Sequence, residues 1–262
     1  EEILTKAMAK FAVVDSRRWI QFILKQFENL STLQVEEFSA LERRMFRMFY
    51  MTIWGKAFDE ESREALAEKL TALAGSPVMV RELQELLRYR YDQIDFIDAP
   101  VNLGFDCPLD LHCSYSRDQI LAAMDFLKPA TVREGVKWLS EQKLDVFFVT
   151  LNKSDKDYSP TTMYNDYSIN ETLFHWQSQS TTGEQSATGQ RYIHHRERGS
   201  RILLFVREFK SDRISNTAAA YTYLGTANYV KHEGSKPMNI TWRLDAPIPA
   251  KYLRKTNKLV VG

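Results

Sequence analysis

The sequence predicts an α+β chain in which an N-terminal helical bundle is followed by a mainly-β domain. Three observations predict it. Apolar residues recur at three-to-four-residue steps through about the first 125 positions. Short β-branched and aromatic runs take over from Lys143, and the charge changes sign between the two parts. A chain of 262 residues is long enough for two ordinary domains, each burying its own core.

In the first part, Phe11, Val14, Trp19, Phe22 and Phe27, then Phe38, Leu41, Met45, Met48 and Phe49, keep the helical period. Gly75-Ser76-Pro77 predicts a helix start with Ser76 as cap and Pro77 in the first position, and Ser116-Arg117-Asp118-Gln119 predicts another. Between Asp98 and Tyr115, Pro100, Gly104 and Pro108 break any helix, so the count is about five helices. The stripe Met45, Met48, Phe49, Met51 and Trp54 reads as core, because Met and Phe at helical spacing normally face other helices. The boundary falls near Lys128-Pro129, giving domains 1–128 and 129–262, with Thr131 to Ser140 as a helix leading into the second.

From Lys143 the period becomes that of strands. The runs are Asp145 to Leu151, Tyr192-Ile193-His194, Arg201 to Val206, Tyr221 to Leu224, Ala227 to Val230 and Ile240 to Leu244, with turn residues between them.

Net charge is +1, but residues 1–150 carry 19 basic and 24 acidic side chains, whereas residues 151–262 carry 16 and 10. Four of the five histidines also lie in the second part, so a polyanion is expected to contact that part. No apolar run is long enough to cross a bilayer and no signal segment opens the chain, which predicts no membrane partner and a cytoplasmic location. The opening Glu1-Glu2-Ile3 lacks an initiator Met, which predicts a piece of a longer polypeptide. Cys107 and Cys113 are spaced too widely for a zinc knuckle and have no second ligand pair, so they read as structural thiols.

The chain carries no Gly-rich phosphate loop followed by Lys-Ser/Thr, no GxSxG elbow and no HExxH helix. It reads as non-catalytic, with no catalytic residue, cofactor or metal expected. One rival is a metal-dependent nuclease in which Glu208 and Lys210 leave a strand together, with Asp166 or Glu184 as the second carboxylate. Another is a scaffold with no ligand at all.

The richest chemistry lies in Tyr158 to Tyr167 and Leu173 to Ser180. A protein that extracts a base needs flat faces to replace lost stacking and an acceptor for the exocyclic amine of cytosine. Tyr164, Tyr167 and Trp176 supply candidate faces and Asp166 a candidate acceptor, while His175 and Gln177 are candidates to orient the ring or fill the vacated stack. The plainer alternative is an aromatic β core holding a buried Asp on backbone amides. Two polar basic stretches suit a phosphate backbone. The first closes with Arg191, His194, His195, Arg196, Arg198 and Arg201, and the second is the turn Lys231 to Lys236. On a strand, His194 and His195 would face opposite ways and so would not share one ligand.

Leu109-Asp110-Leu111-His112-Cys113-Ser114-Tyr115-Ser116-Arg117, Asp145 to Lys153, Ser159 to Tyr167, Phe174 to Ser180 and Gly234 to Trp242 together resemble the region that follows the helicase in SauUSI-type type IV restriction enzymes and related bacterial helicase proteins. The resemblance spans most of the chain. It implies a helical coupler followed by an SRA-like, PUA-related barrel that recognises 5-methylcytosine or 5-hydroxymethylcytosine in duplex DNA by base flipping. It also implies upstream helicase and nuclease domains on the same polypeptide as partners. The pocket Tyr164, Asp166, Tyr167, His175, Trp176 and Gln177, and the backbone contacts Arg191, His194, Arg196, Arg198, Lys231 and Lys236, are assigned by chemistry. Rings from Tyr221 or Tyr229 remain an alternative pocket lining.

Overall fold

In the computed structural model the described residues are 2–97, 99–152, 166–212 and 217–256. The chain divides into two units between Arg133 and Glu134, five residues beyond the boundary read from Lys128-Pro129.

The first unit holds α1 (Glu2–Phe11), α2 (Arg17–Gln26), α3 (Ala40–Trp54), α4 (Arg63–Ala74), α5 (Pro77–Asp92), a two-residue strand β1 (Ser114–Tyr115) and α6 (Arg117–Ala123). Six helices are therefore described where about five were expected. Serine starts most of them. Ser16, Ser39, Ser62 and Ser116 each accept a backbone N–H of the first turn, and Ser39 with Glu42 and Ser116 with Gln119 complete capping boxes. Ser76 occupies the cap position of α5 without a side-chain cap bond, and Pro77 follows it in the first turn. Gly55 ends α3 in the left-handed region, at φ 71°, where a side chain would be strained.

Helix α3 is buried without a break from Met45 to Ile53, so it forms the centre of the bundle; Met45, Met48, Phe49 and Met51 of its stripe are core, and Trp54 is half-buried. The one charge in that run, Arg47, is met by Asp59 at 2.8 Å and Asp125 at 2.6 Å. Cys107 and Cys113 are buried thiols, and burial pushes the Cys107 thiol up to about 12.

The second unit holds β2 (Val136–Leu139), β3 (Leu144–Thr150), β4 (Tyr167–Ser168), β5 (Leu173–Gln177), α7 (Ala187–Ile193), β6 (Arg201–Arg207), β7 (Tyr221–Glu233), β8 (Asn239–Leu244) and α8 (Ala250–Thr256). Its strands run in the order β2-β3-β6-β7-β8-β5-β4, parallel between β3 and β6 and antiparallel elsewhere. Among the described residues no ladder joins β2 to β4, so the sheet is open and the expected barrel closure is corrected. Closure needs two staggered edges with continuous ladders, and among the described residues β4 offers two.

Three local expectations are also corrected. The helix expected over Thr131 to Ser140 is a 3-10 turn at Pro129–Thr131 followed by β2, whose Val136 and Trp138 pair with Phe147 and Asp145. Tyr192 and Ile193 end helix α7 rather than forming a strand. Ser186 caps that helix, and Gly189 lets it approach the preceding loop so closely that a Cβ there would lie 2.1 Å from the Gly183 carbonyl oxygen. The runs expected as two strands at Tyr221 and Ala227 are one strand, β7. Gly225, at φ 89°, sits at a register shift against Leu204 and Phe205, so it marks a bulge rather than a break.

The halves of this sheet differ in how they are covered. Strand β3 is buried at every residue, whereas β5 alternates between half-buried and buried. On β5, Phe174 and Trp176 enter the core with Phe147, Tyr192, Ile240 and Trp242, and Trp176 stacks on Phe147 at 4.1 Å. Leu173, His175 and Gln177 therefore lie on the opposite face.

Candidate nucleic-acid interface

The register assembles a polar face across β4, β5, β8 and β7, opposite the aromatic core. Tyr167 on β4 pairs with His175 on β5. Going on to β8, His175 pairs with Thr241, Gln177 with Asn239 and Leu173 with Arg243. Continuing to β7, Arg243 pairs with Asn228, Thr241 with Lys231 and Asn239 with Glu233. Directly opposed residues share a face, so these side chains form one surface. A register shift between Tyr229 and Lys231 keeps it continuous: the extra residue, Val230, lets Tyr229 and His232 turn to the core side while Lys231 stays outside.

At one end of this face the Tyr167 and His175 rings stack at 4.7 Å, 12° from parallel. Beside them Gln177 Nε2 donates to Asn239 Oδ1 at 3.3 Å. Asp166 is 2% exposed, and its Oδ1 accepts the backbone N–H of Gln177 at 2.9 Å, which fixes the β4 end against β5. The structure thus brings Asp166, Tyr167, His175 and Gln177 together. Trp176 is excluded from their surface, because adjacent strand residues face opposite ways, and it belongs to the core. Tyr164 lies outside the described residues, whereas the alternative rings are placed: Tyr221 is buried and Tyr229 packs against Trp242.

The expected phosphate contacts separate in the same way. Arg191 makes a bidentate ion pair with the fully buried Asp145, at 2.7 and 2.9 Å, and lies 4.3 Å over the Trp138 ring. The pair and the ring contact give it a structural role in the second unit. His194 stands 3.3 Å from Glu197, and Arg198 is exposed just after α7. Arg196 is exposed and its Nε donates to Asn228 Oδ1 at 3.1 Å, which ties it to the polar face. Lys231 lies on that face within β7, so the true turn is Gly234 to Pro237. Lys236 there sits at φ 60° and donates its backbone N–H to Thr182. Arg243, Asn239 and Asn228 were missed by sequence reasoning, although Asn239-Ile240-Thr241-Trp242-Arg243 alternates polar and apolar as a half-exposed strand should.

His195 follows α7 rather than lying on a strand, and it is buried. Its Nε2 accepts the Tyr229 N–H at 3.1 Å, so Nδ1 carries the proton and donates to the Ser200 carbonyl at 3.2 Å. Accepting at Nε2 requires the neutral ring, and burial pulls its pKa below the ordinary value. The unfolded chain therefore takes up the proton first. The stability contributed by neutral His195 is complete above about pH 6.5 and is lost as pH falls toward the folded-state value. Urea midpoints at pH 7.5 and 5.5 are expected to drop on acidification, and to drop less in His195→Gln. An equal drop in both proteins would contradict this assignment.

Glu208 and Lys210 follow β6, where their carbonyls accept from Asn152 and Ala219. Asp166 is engaged on Gln177, and Glu184 stands 3.8 Å from His232. Among the described residues no group of three His, Cys, Asp or Glu side chains is gathered as metal ligands. Among them, too, no helix is long and apolar enough to cross a membrane.

The family model described as "Domain of unknown function (DUF3427)" matches residues 109–255. The chain belongs to this family. No curated protein matches the chain at a significant level. The DUF3427 segment begins at Leu109, in the first unit, and takes in the polar face entire, from Tyr167 on β4 to Arg243 on β8. Its helix α6 opens on the Ser116 and Gln119 capping box.

Proposed function

We propose that this DUF3427 protein recognises duplex DNA carrying 5-methylcytosine or 5-hydroxymethylcytosine, by flipping the modified base onto the polar face of the second unit. The observation that carries this reading is the stacked Tyr167 and His175 pair, half-buried on a sheet face beside the Gln177 and Asn239 amides. Ring faces replace the stacking that a flipped base loses. Gln177 lies two residues beyond His175 on β5, about 7 Å along the strand, a separation comparable with the length of a base. Asp166 holds that edge in place through the Gln177 amide. The basic balance of residues 151–262 agrees with a polyanionic partner.

The sequence resemblance extends the reading. The second unit is the SRA-like recognition domain, and the first is the coupler that passes the recognition event to a helicase and nuclease elsewhere on a type IV restriction polypeptide. No catalytic role is assigned to these residues. Base flipping is tested with 2-aminopurine placed beside the modified cytosine, since this fluorophore brightens when its stacking neighbour leaves the helix. The expected result is a rise in fluorescence with modified duplex and none with its unmodified match; binding to modified duplex without any rise would overturn the flipping step.

A further inference from the structure

We propose that Arg196 and Arg243 form a phosphate-binding edge on the polar face, with Asn228 and Asp245 as the residues that set the Arg196 guanidinium in place. This rests on the reading that the face binds nucleic acid, and it adds where the backbone of the strand is held.

Arg243 lies directly opposite Asn228 across the β7–β8 ladder, and directly opposed side chains have Cβ atoms about 5 Å apart. Arg196 reaches the same Asn228 from beyond α7, through its Nε. Two exposed arginines thus flank Asn228, Arg196 through a hydrogen bond and Arg243 through its ladder position. The two arginines carry two positive charges against the single negative charge of Asp245, which leaves a net attraction for an anion at this edge.

The amide orientation is also fixed. Asp245 Oδ1 accepts from Asn228 Nδ2 at 2.8 Å, and the other Asp245 oxygen accepts from the Thr226 hydroxyl. A carboxylate only accepts, so it holds the NH2 side of Asn228 and turns the amide oxygen toward Arg196. With Nε engaged, the two terminal nitrogens of Arg196 remain as a fork that matches two phosphate oxygens. A backbone phosphodiester is the ligand of matching charge and geometry, and the ring pair and amides lie on the same face to receive a base from that strand.

The test measures salt-dependent binding of the full chain to matched modified and unmodified duplexes, for wild type, Arg196→Ala, Arg243→Ala, Arg243→Lys and Asp245→Asn. Each phosphate contact contributes roughly 0.9 to the slope of log affinity against log salt. Arg196→Ala and Arg243→Ala are each expected to flatten that slope by about 1 and to weaken both duplexes by the same factor, leaving the preference for modified DNA intact. Arg243→Lys keeps the charge and should keep the slope. Asp245→Asn should weaken binding through Arg196 alone, so that it adds nothing to Arg196→Ala. Wild-type slopes in both alanine variants, with the preference for modified DNA retained, would overturn the phosphate edge and leave the recognition reading standing. A wild-type chain that binds neither duplex would overturn the recognition reading and the edge together.

Discussion

Arg191→Ala is expected to destabilise the second unit by about 3–5 kcal/mol, the cost of leaving a buried charge without its partner. Asp145 is fully buried in β3, and both its oxygens accept from Arg191, whose side chain also lies over the Trp138 ring. Truncation removes the counter-charge, two charge-assisted hydrogen bonds and that ring contact together. Chemical denaturation should show the loss directly. The double variant Asp145→Leu with Arg191→Met should recover much of it, because apolar groups of similar size avoid the desolvation cost of a buried pair. An Arg191→Ala protein of unchanged stability but weakened DNA binding would return this arginine to the DNA contacts.

Tyr167→Ala should give the largest functional effect. It is expected to remove the preference for modified cytosine while leaving most of the affinity for unmodified DNA. Stacking of a base on an aromatic ring is worth about 1–3 kcal/mol, or about 5- to 150-fold in affinity. Tyr167 is half-buried on a two-residue edge strand, so its loss should cost the fold little. Its partner contributes differently: His175 is in mid-strand and pairs with Thr241 on its other side, so His175→Ala combines lost stacking with weaker cross-strand packing. Retained preference in Tyr167→Ala would move the base site off this ring pair.

Much of the architecture was legible because local chemistry and tertiary structure agree there. Ser116 with Gln119 is a capping signal that α6 uses, Pro77 opens α5, and the apolar period in the first part marks buried faces. Reading failed where a short segment suits two structures. Tyr192 and Ile193 have strand-forming side chains, but Ser186 and the close approach at Gly189 commit the segment to a helix. Val136 to Leu139 is drawn into the sheet by its ladder with β3, which no local period announces.

The candidate site was readable only as residue types, because the face each side chain takes depends on the strand register. Tyr167, His175 and Gln177 share a surface because they hold corresponding register positions, and Trp176 is lost to the core by a single step along β5. Arg191 shows the same limit, since its partner Asp145 is 46 residues away and the pairing follows only from the fold. Arg243 and Asn228 join the surface through a register that a bulge has shifted, and sequence spacing alone does not encode it.

The central claim is tested most directly by fluorescence anisotropy of the full chain with matched duplexes carrying unmodified, 5-methyl or 5-hydroxymethyl cytosine, in several sequence contexts. The ionic strength is held at one near-physiological value, because phosphate contacts make affinity salt-dependent. Selective binding to a modified duplex in wild type, lost in Tyr167→Ala, is the result this account predicts. Equal binding to all three duplexes would make the protein a non-specific DNA clamp, and no binding to any of them would contradict recognition of DNA altogether.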